Sequence, residues 1–361
     1  MKVLHINAGL ENGGGLSHII GLLSHLPEDD VELLTFADGP VAKAAKDKGI
    51  KVKILGKNSR YDFSLLKVLA KYINDGNFDL VHTHGARANL FISLIKRKIK
   101  ARWIITVHSD PRLDFMNRGM LGRIFTSLNV KSLKKSDGIF AVTNNFKEIL
   151  LALGLPDSKI KVIYNGIAFS KKAPQLQEHK NFEIVIVGRL HPIKGHALLL
   201  EAFKAANMTS AHLTIIGDGE LKSELQADVK KLGLDNQVLF TGLLTQDEIN
   251  QRYLKTDLAV LSSFSESFPL VLLEAANFAI PVIATDVGDM RQLIPNSSYG
   301  WIVPTHNVKA MSLALEEAYG KWQSGDLKKT GFALETHAKK YFSIDRLCKT
   351  TMDGYRYFLS K

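Results

Sequence analysis

Short apolar runs alternate with amphipathic helical stretches along almost the whole chain, and this alternation constrains the fold more than any other feature. In the first half, residues 3–6, 31–36, 51–55, 80–82, 103–107, 138–142 and 161–163 read as strands, and helical patterns lie between several of them, as at 16–25, 63–72 and 123–133. A strand followed by a helix and then another strand closes most readily as a parallel crossover unit. A second series follows, with strands at 184–187, 213–216, 238–240, 258–261, 282–284 and 301–303 and helices at 197–206, 221–232, 246–253 and 308–319. The polar stretch 168–181 separates the two series. The expected architecture is α/β, with two Rossmann-like domains facing across a cleft: an N-terminal domain over 1–167, a linker over 168–181 and a C-terminal domain over 182–340. Within the tail 341–361, a last helix over 344–359 is expected to dock back on the first domain. Ligands in such sheets lie at the carboxyl ends of the strands.

The length of 361 residues fits two domains. No apolar run is long enough to predict a transmembrane helix, and the opening Met1-Lys2-Val3-Leu4-His5 reads as a strand rather than a signal peptide. A single cysteine, Cys348, excludes an intramolecular disulfide and fits a reducing cytoplasm. The net charge of +11 is uneven: residues 1–170 carry 25 Lys and Arg against 15 Asp and Glu. The clusters Lys96-Arg97-Lys98 with Lys100 and Arg102, and the series Arg112, Arg118, Arg123, Lys131, Lys134 and Lys135, point to an anionic membrane surface as partner of the first domain. No nucleic-acid-binding module is present in the pattern, so nucleic acid is not an expected partner.

The densest chemical signal is the run Glu266-Ser267-Phe268-Pro269-Leu270-Val271-Leu272-Leu273-Glu274, which joins a strand end to a helix start. Pro269 suits a first helical turn, and the N-terminal amides behind it form an anion- or hydroxyl-binding position. Two carboxylates on one loop–helix unit can each accept from a diol. Glu274 stands among Leu272, Leu273, Ala275 and Ala276, where a buried charge needs a partner.

Gly188-Arg189-Leu190-His191-Pro192-Ile193-Lys194-Gly195 also follows a strand and precedes a helix. Arg189 offers a planar fork and Lys194 a point charge, a pair suited to the growing charge of a departing diphosphate without a metal. Gly13-Gly14-Gly15 lies between the first strand and first helix, where the amides of Gly14 and Gly15 can approach a phosphate. His108 falls just past a strand end, in reach of a sugar hydroxyl. His82 and His84 alternate on one strand face; two more ligands for a metal do not stand nearby in sequence, so lining of the cleft is the preferred reading and no metal site is expected. Gly217-Asp218-Gly219-Glu220 and Thr241-Gly242-Leu243-Leu244 follow strands where a base and ribose can lie, while Asn165-Gly166 reads as a turn.

Taken together, these residues resemble the retaining GT-B glycosyltransferases of family 4 (glycosyl transferases group 1). The resemblance rests on Gly188-Arg189-Leu190 with Lys194-Gly195, on Glu266 and Glu274, and on Pro281-Val282-Ile283-Ala284-Thr285-Asp286-Val287-Gly288, with the glycine-rich first loop, Asp79-Leu80-Val81-His82-Thr83-His84 and His108 in support. It implies that Arg189 and Lys194 bind a donor diphosphate, Glu274 the ribose, and Glu266 with Phe268, Pro269 and Leu270 the donor sugar. Leu243 would lie near the base, with Gly14 and Gly15 at the donor, and His108 would touch the sugar. His108, Arg189, Lys194 and Glu266 are the implied catalytic set. The implied reaction is metal-independent, cofactor-free transfer of a hexose or N-acetylhexosamine from a nucleotide sugar, expected to be UDP-linked, to a cell-surface polysaccharide or lipid-linked glycan precursor. The expected location is cytoplasmic, peripheral at the inner membrane face. A GT-B sugar-nucleotide 2-epimerase and a non-catalytic nucleotide-sugar binder are the alternatives. The family often has glycine where Ser267, Ala279 and Asp289 stand here.

Overall fold

The computed structural model describes residues 1–11, 13–56, 64–113, 119–171, 177 and 179–361. The chain divides into two units, Met1–Ala168 with Ile344–Lys361, and Phe169–Ser343. Residue 63, Arg118 and residues 172–176 and 178 of the expected linker lie outside the described residues.

The first unit is built on a parallel sheet of seven strands: β1 (Val3–Asn7), β2 (Val31–Thr35), β3 (Val52–Ile54), β4 (Leu80–His84), β5 (Arg102–Val107), β6 (Gly138–Ala141) and β7 (Ile160–Val162). Their order is β3-β2-β1-β4-β5-β6-β7. Each of the expected strands is present, because strands covered on both faces are apolar almost without interruption and stand out from their polar flanks. Helices Gly14–Leu23, Leu65–Asp75 and Gly119–Lys135 occupy the stretches whose periodicity was helical. Ala86–Ile95 was not anticipated; its sequence ARANLFISLI is apolar around most of its circumference, and it is largely buried, so a one-sided stripe is missing. Asn144–Ala152 is short and depends on a cap, Thr143 Oγ1 accepting from the Phe146 amide at 3.1 Å.

One face of this sheet packs around Trp103, Phe91 and Ile105, and the other around Ile19, Leu22, Ile104 and Phe140. The last helix, Ile344–Leu359, completes the second of these layers with Leu347, Tyr355 and Phe358, all buried. Its Ile344 amide donates to the Ile167 carbonyl at 2.7 Å.

The second unit has six parallel strands: β8 (Phe182–Val187), β9 (Ala211–Ile216), β10 (Val238–Gly242), β11 (Leu258–Leu261), β12 (Val282–Thr285) and β13 (Gly300–Val303). They are ordered β10-β9-β8-β11-β12-β13. The helix Leu327–Phe342 closes this unit, and the chain passes to the first unit between Ser343 and Ile344. In both sheets the strand order reverses direction once, between β1 and β4 and between β8 and β11. The loops leaving those neighbouring strands diverge, and the space they leave is the usual binding position of an open parallel sheet.

Candidate functional site

In the second unit, the motifs singled out in the sequence leave the two strands at the reversal. Gly188-Arg189-Leu190 follows β8 and Glu266 follows β11. Lys194 closes a short 3-10 turn, Pro192–Lys194, and Gly195 turns the chain into helix His196–Ala205 at φ +66°. A side chain at Gly195 would lie 2.1 Å from the Ser262 carbonyl oxygen, so only glycine lets this turn press against the end of β11. The contact is fixed further by the Ser262 hydroxyl donating to the Lys194 carbonyl at 2.8 Å and the Phe264 amide to the Ile193 carbonyl at 2.7 Å.

Lys194 Nζ and Glu266 Oε1 meet at 2.5 Å, and the Ser263 hydroxyl donates to the same carboxylate oxygen at 2.7 Å. Behind Glu266, the turn after β12 brings Gly288 (φ +52°) so close that a Cβ there would lie 2.3 Å from the Ser267 carbonyl oxygen. The Glu266 loop is thus held from both sides, by the Lys194 turn and by the Gly288 turn. Phe268 and Pro269 are buried beneath it, and Pro269 is the N-cap of helix Leu270–Asn277, one position outside the first turn where the sequence placed it. The first amides of that helix begin directly behind the Glu266 loop.

Arg189 and Glu274 have partners of their own. Arg189 is largely exposed and reaches the Glu220 carboxylate at 3.5 Å, with His191 on the same carboxylate at 3.6 Å. Glu274 lies about one turn into its helix and is half-buried; burial pushes its carboxyl above the ordinary value, while a hydrogen bond with Gln246 opposes the rise. The Tyr253 hydroxyl, raised by its own burial and then by the charge of Glu274, donates to the Val271 carbonyl at 3.3 Å and ties helix Gln246–Tyr253 to the Glu274 helix. Leu243 is exposed after Gly242 at the end of β10. Sequence reading missed Ser263, Gln246 and His306; the last stacks on Phe264 at 3.8 Å between ring centres. None of the three sits in a motif; Ser263 is a near neighbour of Glu266 in sequence, while the fold brings Gln246 to Glu274 and His306 to Phe264.

The first unit carries a different constellation at its own reversal. Register pairs His5 with His82 and His84 with Thr106, so the two-residue period of the strands sets His5, His82, His84, Thr106 and His108 on one sheet face. His5 Nδ1 lies 3.0 Å from His84 Nε2, and His84 Nδ1 lies 3.3 Å from His108 Nε2. His82 is bonded at both nitrogens, at 2.6 Å to the Tyr355 hydroxyl and 2.6 Å to the Thr106 hydroxyl. Tyr355 also reaches His5 Nε2 at 3.2 Å. His82 and His84 are fully buried, which corrects the reading that they line a cleft: the crossover helix Gly14–Leu23 and the terminal helix cover the face on which they lie. Asn165, expected as a turn residue, is buried and its Oδ1 lies 2.8 Å from His18 Nδ1.

Burial pushes the His5 imidazole down to about 3 and that of His18 down to about 4. It holds His82, His84 and His108 well below the ordinary value, with mutual repulsion adding to the effect. These rings are therefore neutral at physiological pH. His108 is only half-buried, and it borders a pocket of about 460 Å³ whose wall also includes Glu11, Gly85, Asn129 and Leu133. Gly14 and Gly15 begin helix Gly14–Leu23, and a Cβ at Gly14 would meet nothing within 4 Å, so its backbone is open to approach.

A family model described as Glycosyl transferases group 1 matches residues 168–327, and one described as Glycosyltransferase Family 4 matches residues 12–171. The chain belongs to the group 1 glycosyltransferases and has the GT-B fold of two Rossmann-like domains. It is 25% identical over 308 residues to the UDP-Gal:alpha-D-GlcNAc-diphosphoundecaprenol alpha-1,3-galactosyltransferase of Escherichia coli, covering 79% of each chain. An uncharacterized glycosyltransferase of Methanocaldococcus jannaschii is 24% identical over 302 residues, covering 77% of this chain and 75% of the relative. The crystal structure of Anabaena HepE in complex with UDP superposes with a TM-score of 0.83 at 17% identity, over 98% of this chain and 99% of that one.

Proposed function

We propose that this glycosyltransferase moves a hexose or N-acetylhexosamine from a UDP-sugar to a hydroxyl of a lipid-linked or polysaccharide precursor, with retention of anomeric configuration. The observation that carries the proposal is the Lys194–Glu266 pair at the reversal between β8 and β11, set before the N-terminus of helix Leu270–Asn277. A cation beside a carboxylate, with free helix amides behind, suits a diphosphate and a hydroxylated ring bound side by side. Lys194 and Arg189 neutralise the diphosphate, so no metal is assigned to it. Arg189 turns from Glu220 to the phosphates when donor binds. Glu274 accepts from the ribose hydroxyls, Leu243 lies near the base, and Glu266 with the backbone of Phe268, Pro269 and Leu270 holds the sugar. Gly14 and Gly15 approach the donor by their amides, and His108 reaches the sugar through Nδ1, since Nε2 faces His84.

In the transfer step the bond between the anomeric carbon and the diphosphate oxygen breaks. The acceptor oxygen bonds to the same face of that carbon, and its proton passes to the departing phosphate oxygen. The UDP assignment draws on the UDP-bound HepE structure and on the UDP-Gal-using relative, whose name also specifies a diphosphoundecaprenol acceptor.

A peripheral position at a membrane is part of the proposal. No described helix is long and apolar enough to cross a bilayer. Helix Gly119–Lys135 instead exposes Met120, Leu121, Ile124 and Leu128 along one side, with Arg123 and Lys131 on the same helix, a composition suited to the interface of an anionic bilayer. Its Asn129 and Leu133 border the His108 pocket, so an acceptor sugar in that pocket would keep its lipid beside the apolar stripe.

The test is incubation of the purified protein with a panel of UDP-sugars and undecaprenyl-diphosphate-linked acceptors, without added divalent metal. The expected result is a glycosylated acceptor whose new linkage, read by NMR, has the donor's α configuration. A β linkage from an α donor would overturn retention. Epimerised UDP-sugar formed without acceptor, or folded protein that binds donor yet transfers nothing across the panel, would overturn the transfer reading.

A further inference from the structure

The histidines of the first unit fall into two groups that differ in how their nitrogens are satisfied. His5 and His82 spend both ring nitrogens on protein partners: His84 and Tyr355 for the first, Tyr355 and Thr106 for the second. His18 does not. Its Nδ1 lies 2.8 Å from the Asn165 side-chain oxygen, and since that oxygen can only accept, Nδ1 carries the ring proton and Nε2 carries a lone pair. That Nε2 is buried without a hydrogen-bond partner, on a residue only 4% exposed. A buried imidazole nitrogen aimed at no donor is an unusual expense in a protein interior.

The lone pair has company. One ring nitrogen each of His18, His84 and His108 lies within 4.8 Å of the other two, and Nε2 is the nitrogen of His18 that Asn165 leaves available. His84 Nδ1 and His108 Nε2 are 3.3 Å apart, and a tetrahedral ion with Zn–N bonds of about 2.0–2.1 Å holds neighbouring nitrogens roughly 3.3–3.4 Å apart. The supporting layer is already built. His5 Nδ1 is positioned to accept from His84 Nε2–H, which leaves His84 Nδ1 unprotonated, while the Tyr355 hydroxyl links His5 to His82. Outer hydrogen bonds that fix the tautomer and raise the basicity of ligating histidines are the usual second layer of a metal centre.

We infer that His18, His84 and His108 form a three-imidazole site for a first-row divalent transition metal, of which Zn²⁺ is the expected occupant, with its fourth position toward the pocket that His108 borders. Neutral imidazoles exclude Mg²⁺ and Ca²⁺, which require oxygen donors. The donor diphosphate is assigned to Arg189 and Lys194 of the second unit and not to this ion. The sequence spacing hid the site because its ligands come from a helix, a strand and a loop, at positions 18, 84 and 108.

The experiment is metal titration of the full-length protein after stripping with a chelator, so its outcome does not depend on any transferase assay. One equivalent of Co²⁺ should give the visible absorption of tetrahedral coordination, and one equivalent of Zn²⁺ should displace it. Crystals grown with Zn²⁺ should give one anomalous peak within bonding distance of the three nitrogens. Asn165→Ala removes only an outer partner and should weaken Zn²⁺ binding by roughly 10–100-fold. His18→Ala and His108→Ala remove ligands and should weaken it more, while His25→Ala, at an exposed ring on the same helix's C-terminal side, should leave it unchanged. His108 is half-buried, so His108→Ala, checked for folding by circular dichroism, decides the matter if His18→Ala does not fold. Absence of saturable Co²⁺ and Zn²⁺ binding by the stripped wild type, or unchanged affinity in folded His108→Ala, overturns the inference.

Discussion

At the strand reversal of the second unit, Lys194 and Glu266 meet with part of each side chain in solvent; at the reversal of the first unit, neutral histidines are packed between a sheet and two helices. The two sheets share a topological device, yet the side chains at it behave in opposite ways. The difference follows from where the residues stand. Lys194 and Glu266 lie on loops beyond the strand ends, where water stabilises both charges and a ligand can displace it. His5, His82 and His84 lie within strands, where burial removes the charged form and each nitrogen must find a neutral partner. One reversal can answer an incoming anion; the other can fix lone pairs in space.

That contrast breaks most readily at Lys194. Lys194→Ala should lower kcat/KM by about 10²–10³-fold, the range for loss of one preorganised electrostatic group, while the thermal midpoint moves little because Ser263 still holds Glu266. Steady-state kinetics beside a thermal melt check this, and a loss of stability with unchanged turnover would reverse the assignment of the two regions. In the first unit the effects should be inverted. Tyr355→Phe removes the hydroxyl between His82 and His5 and leaves two buried nitrogens short of a partner, which should cost about 1–3 kcal/mol in denaturant unfolding. Donor KM should stay the same.

Glu274 sharpens the comparison, because it is a half-buried carboxyl of the second unit whose proton affinity burial raises. Its folded pKa is raised, so between the unfolded value near 4.3 and that raised value the native state binds more protons than the unfolded chain. Stability therefore falls as pH rises through this window and stays at the lower level above it. Glu274→Gln should abolish that fall and stabilise the protein at neutral pH, while weakening donor binding by about 10-fold through loss of the charged acceptor. Thermal melts from pH 4 to 8 and donor titration measure the two halves; a variant less stable than wild type at pH 7 contradicts the burial argument.

The smallest effect is expected at Ala279. It follows helix Leu270–Asn277 at φ +53°, with the Ile280 amide on the Ala275 carbonyl and the Ala279 amide on the Ala276 carbonyl, the arrangement that ordinarily ends in glycine. Ala279→Gly should relieve the left-handed strain and raise stability by up to about 1 kcal/mol, with kinetics untouched. A lower melting temperature would show that the strain is not expressed.

The strands, both series of alternation, the loops bearing Arg189, Lys194 and Glu266, and the helix start that carries Glu274 were legible in the sequence, because burial on two faces and glycine-bounded strand ends leave local marks. Helix Ala86–Ile95 was not, since its apolar surface runs all round. Nor were the roles of His18, Asn165 and Tyr355: the last is separated from His82 by 273 positions, and no periodicity spans such a gap. Local composition thus determined which segments are strands and where charged groups leave them. Register between β1, β4 and β5, and the return of the terminal helix, decided which histidines meet and which of their nitrogens remain unpaired, because hydrogen bonding at a buried atom depends on neighbours that only chain closure supplies.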